Sequence, residues 1–85
     1  MIAPCDTWGP FAEGIDPAEQ RARLRSLRAL AKVYAGPRAA VVCRLLAQAE
    51  TDPAALEPAS VALNRLAPVD RRQILASFAR LTASA

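Results

Sequence analysis

A chain of 85 residues, with eleven Lys and Arg against eight Asp and Glu for a net charge of +3, has room for one small domain with a single core. It contains no histidine and two cysteines, which excludes a tetrahedral His/Cys zinc site within one chain and removes the commonest general base at neutral pH. No stretch approaches the roughly 18 apolar residues of a membrane span, so the expected location is cytoplasmic.

Residues 1–15 are expected to form an irregular arm ahead of a single helical domain over residues 16–83. Pro4, Gly9, Pro10 and Gly14 interrupt regular structure, whereas Trp8 and Phe11 carry large apolar surfaces. The two rings either lie across the helices and close a thin core, or Trp8 serves as an anchor in a partner's pocket. Cys5 follows Met1, Ile2, Ala3 and Pro4 with no charged leader or apolar run before it, so no secretory signal is expected.

The first helix has clear ends. Asp16 offers an N-cap oxygen, Pro17 the fixed φ of the first helical position, and Glu19 an acid in the first turn, where exposed N–H groups favour negative charge. Gly36 and Pro37 stop it. Winding at about 100° per residue gathers Leu24, Leu27, Leu30, Ala31, Val33 and Tyr34 on one broad apolar side. On the other side, Arg21, Arg25, Arg28 and Lys32 fall within an arc of about 60°. Arg23 angles towards the apolar side, its stem packing and its head in solvent.

The second helix is expected from Pro37 to about Thr51, with Val41, Val42, Leu45, Leu46 and Ala49 inward and Cys43 at the margin as a small buried hydrophobe. Asp52 and Pro53 repeat the Asp-Pro start signal. Pro58 inside an established helix would cost about 3 kcal/mol. Either one turn over residues 52–56 precedes a third helix over residues 58–66, or that helix starts near Leu56 with Pro58 in its first turn. Val61, Ala62, Leu63 and Leu66 face inward. Pro68 opens a fourth helix to about Thr82, with Asp70 in its first turn and Ile74, Leu75, Phe78 and Leu81 inward; Ser84 and Ala85 are expected to fray. The fold class is therefore all-α, a compact bundle of four short helices with an irregular N-terminal arm.

Neither a nucleophile–base pair nor a Gly-rich phosphate loop is present, and the acids fall mainly at helix starts and turns. The expectation is a non-catalytic domain without metal or cofactor. Its most informative surface is the stripe of Arg21, Arg25, Arg28 and Lys32. No acid is interleaved after Glu19, whereas a face that only solubilises a helix usually mixes signs. Phosphate, an acidic protein surface or acids elsewhere in the chain would relieve the repulsion.

The leading expectation is a regulatory or adaptor domain that binds an acidic macromolecule, protein rather than nucleic acid, through this stripe. A DNA-binding alternative resembling a helix-turn-helix uses helices three and four, with Arg65, Arg71, Arg72 and Gln73 near the start of the reading helix. A third alternative is a structural subunit of a homo-oligomer.

Overall fold

The computed structural model describes residues 9–12 and 14–83. The expectations for Cys5, Trp8, Ser84 and Ala85 lie outside the described residues. Helix α1 spans Pro17–Ala35, α2 Ala40–Ala49, α3 Leu56–Asn64 and α4 Pro68–Ala83; short 3-10 turns over Gly36–Ala39 and Pro53–Ala55 lead into α2 and α3. The described residues include no strand, and the organisation is the four-helix, all-α one that the proline-marked segments predict.

Both ends of α1 follow from its sequence. The Asp16 carboxylate accepts the backbone N–H groups of Ala18 and Glu19 at 3.0 and 3.2 Å, satisfying two donors that have no partner within the helix. At the other end Gly36 has φ +55°, a conformation that side chains disfavour, and its N–H donates to the Lys32 carbonyl. Pro37 then enters a 3-10 turn, closed by the Ala40 N–H on the Pro37 carbonyl, so α2 starts at Ala40 rather than at Pro37.

The third helix takes the second of its two expected forms. It begins at Leu56, which puts Pro58 third in the helix, where its missing N–H would have had no intrahelical acceptor. Leu66 consequently lies beyond the helix end.

Helix α1 packs against both α2 and α4, and α2 packs against α3, so the longest helix is the central element. Leu24, Leu27, Leu46, Leu63, Ile74 and Phe78 are completely enclosed. Burying side chains of this size is worth about 1.5–3 kcal/mol each. Fully buried Ala31, Ala39 and Ala59 allow the backbones to come close. Phe11 joins this core from the arm, and two side chains of α1 hold the adjoining backbone. Gln20 donates to the Pro10 carbonyl at 3.1 Å and Arg23 to the Gly9 carbonyl at 3.3 Å. Arg23 also meets Glu19 at 3.0 Å, one turn back on its own helix.

Five residues expected inward are exposed: Val33, Tyr34, Val41, Val61 and Leu81. The reason is plainest on α1, where the buried stripe is Leu24, Leu27, Ala31 and Ala35. At 100° per residue these four occupy about 80°, and Val33 falls about 180° from Leu24. The apolar residues of α1 cover a wider arc than its neighbours do. Tyr34 sits at the edge of the α4 contact, its oxygen accepting the Ser77 hydroxyl at 3.0 Å.

Candidate functional site

The narrow buried stripe changes where the basic residues lie. The arc holding Arg21, Arg25, Arg28 and Lys32 is centred about 90° from the middle of that stripe, rather than opposite it. These side chains therefore form a shoulder beside the seam between α1 and α2.

Across the seam stands Glu50, the C-cap of α2, with a side chain 11% exposed. Arg25 Nε lies 2.5 Å from one of its oxygens and Arg28 Nη1 3.4 Å from the other. A carboxylate at a helix C-terminus faces the negative end of the dipole, and the two guanidinium groups offset that. The absence of interleaved acids within α1 is thus partly answered by an acid from elsewhere in the chain. One carboxylate shared by two arginines leaves the shoulder predominantly positive. Arg21 and Lys32 have no ion pair with another described residue.

Between the shoulder and the start of α2 runs an open groove of about 770 Å³, within the range of about 300–1,000 Å³ usual for binding pockets. Arg25, Arg28 and Lys32 form its charged wall, while Ala29, Pro37, Ala40 and Cys43 supply its small, largely apolar surface. The helices run antiparallel here, as shown by the Cys43 thiol donating to the Arg28 carbonyl at 3.7 Å and by the Glu50 contacts one end further along. Burial pushes the Cys43 thiol up, against the opposing influence of Arg28 and Lys32. The thiol therefore stays protonated at neutral pH and behaves as groove surface rather than nucleophile. A smaller recess of about 420 Å³ beside Phe11, Leu56, Ser60 and Val61 has Glu57 as its charged residue.

The second basic group is divided by the fold. Arg71 Nη1 donates to the Asn64 carbonyl at 2.7 Å and so ties the turn between α3 and α4. Asp70, in the first turn of α4, receives Nε and Nη2 of Arg38 at 3.0 and 3.2 Å. Asp70 is the buried charged residue among those described, and the hydrogen bond, followed by its charge, holds the Arg38 guanidinium above the ordinary arginine value. Arg65, Arg72 and Gln73 remain exposed. Helices α3 and α4 meet at their turn without packing along their lengths, unlike the two helices of a helix-turn-helix.

Among the described residues no group of three or more His, Cys, Asp or Glu could hold a metal ion, and no helix is long and apolar enough to cross a membrane. Reasoning from sequence missed Glu50 and Arg38 as partners across elements. Glu50 did carry a signal, an acid at a helix end where the dipole disfavours it. Arg38 carried none, since 32 positions separate it from Asp70. No family model matches the chain, and no curated protein or solved structure matches it either.

Proposed function

We propose that this chain is a small non-catalytic adaptor or regulatory domain that binds an acidic protein surface through Arg21, Arg25, Arg28 and Lys32. The observation that carries the proposal is the arrangement of these four cations along one shoulder of α1, with Glu50 as their one close acidic neighbour among the described residues. An acidic partner would meet several positive charges at once, which favours rapid, salt-sensitive association. Carboxylate suits the site chemically, because Arg25 and Arg28 already hold one between them.

The nucleic-acid alternative rests on exposed Arg65, Arg72 and Gln73 around the start of α4. It would read bases from the outer face of that helix. Fluorescence anisotropy against polyglutamate and against duplex DNA, over a range of salt, separates the two readings. Binding to polyglutamate that outlasts binding to DNA as salt rises supports the acidic-protein proposal; the reverse order overturns it.

A further inference from the structure

We infer that the groove between α1 and the start of α2 receives a short acidic segment of another protein carrying one aliphatic side chain, which settles on the Ala29, Pro37 and Ala40 surface. The inference rests on the proposed acidic-protein function and names the part of the partner that gives it specificity. Its basis is the juxtaposition of Arg28 and Lys32 with an apolar strip in one cavity of about 770 Å³.

A purely electrostatic contact would need only the exposed arginines. Here the charged wall borders a surface of alanine, proline and a protonated thiol, which offers an anionic backbone nothing beyond exclusion of water. A peptide with carboxylates on one side and an aliphatic group on the other satisfies both. The carboxylates meet Arg28 and Lys32, while the aliphatic group removes apolar surface from water. Nucleic acid satisfies the charged wall alone. The small side chains at positions 29 and 40 keep the groove open, and both residues are exposed, so larger ones can be placed there without entering the core.

The test uses a labelled peptide of glutamates around one central leucine, beside the same peptide with serine at the centre. The wild-type domain should bind the leucine peptide at least about tenfold more tightly. In the variant carrying Ala29→Leu and Ala40→Leu, which keeps every charge, that preference should disappear and the leucine peptide should bind about tenfold more weakly. Circular dichroism checks that the variant folds. If it does not, amide shifts in the wild type supply the second measurement: Ala29, Ala40 and Cys43 should move more with the leucine peptide than with the serine peptide.

Equal binding of the two peptides to the wild type, or an undiminished preference in a folded groove-filled variant, overturns the groove inference. The broader acidic-protein proposal survives that result if Arg21→Glu with Lys32→Glu still weakens both peptides. If neither peptide binds while duplex DNA does, both readings fall.

Discussion

Arg25 of α1 and Glu50 at the end of α2 are joined by a 2.5 Å hydrogen bond across 25 residues of chain. The contact does two things at once. It ties the antiparallel helices together at the end remote from their connecting turn, and it places a carboxylate where an acidic partner would otherwise compete for Arg25 and Arg28.

Replacing Glu50 with glutamine should therefore strengthen binding of polyglutamate. The substitution keeps a hydrogen-bond acceptor beside the arginines but removes the competing charge. The Glu50 carboxylate is largely covered but both arginines reach solvent, which screens the contact to about 1 kcal/mol, so the gain should be about two- to fivefold at low salt and smaller at high salt. Anisotropy titrations measure it directly. Weaker binding would mean that Glu50 orients the arginines for the partner instead of competing with it.

The Arg38–Asp70 pair should behave as a clasp between the turn before α2 and the first turn of α4. Asp70→Asn removes the buried charge that two guanidinium nitrogens grip, so the thermal midpoint should fall, while Arg72→Ala on the exposed side of α4 should leave it nearly unchanged. Because the folded value for Arg38 is raised, its contribution is fully present below the ordinary arginine value and is lost only as pH rises past the folded one. Through the range of about pH 6–10, the Arg38 side of the pair should not titrate. Melting curves of the two variants across that range check both statements.

Phe78 and Val33 give opposite expectations despite both being apolar helix residues. Phe78 is fully enclosed and Val33 is 75% exposed. Phe78→Ala should cost about 3–5 kcal/mol, against a total stability of about 4–13 kcal/mol for a chain of this length. Val33→Ser should change stability by about 0.5 kcal/mol or less. Urea denaturation of the two variants measures both differences; comparable losses would mean that Val33 is covered.

Cys43 reports on the groove from within. In a chain carrying Cys5→Ser, alkylation of Cys43 by iodoacetamide should be slower at neutral pH than that of a free thiol and should keep rising with pH beyond the point where a free thiol levels off, because burial disfavours the thiolate. Saturating leucine-containing acidic peptide should slow it further. Mass spectrometry follows both rates, and reaction as fast as a free thiol at neutral pH would contradict the burial argument.

The architecture was largely legible because its signals are local. Asp16, Pro17, Gly36, Pro58 and Pro68 act on neighbouring backbone, so their effects can be read without the rest of the chain. The side-chain environment was less legible. Helical periodicity places Val33, Val41 and Leu81 near apolar neighbours, but it does not tell how many other helices arrive to cover them. The same limit governed the site. Spacing along α1 brings Arg21, Arg25, Arg28 and Lys32 together, yet Glu50 and the groove exist only because α2 folds back antiparallel. Arg71 illustrates the converse: its position resembles a base-reading one, and its hydrogen bond to the Asn64 carbonyl is invisible to sequence pattern.

The most direct measurement is polyglutamate affinity of a variant carrying Arg21→Glu and Lys32→Glu. Reversing Arg25 and Arg28 instead would surround Glu50 with like charge and confuse binding with folding. Arg21 and Lys32 are exposed and have no ion pair with another described residue, so the double variant should melt within about 1 kcal/mol of wild type. Its affinity at low salt should fall at least about tenfold, since two attractions become repulsions at a complementary surface. A folded double variant that binds polyglutamate as tightly as wild type would reduce the basic shoulder to a solvated flank of α1.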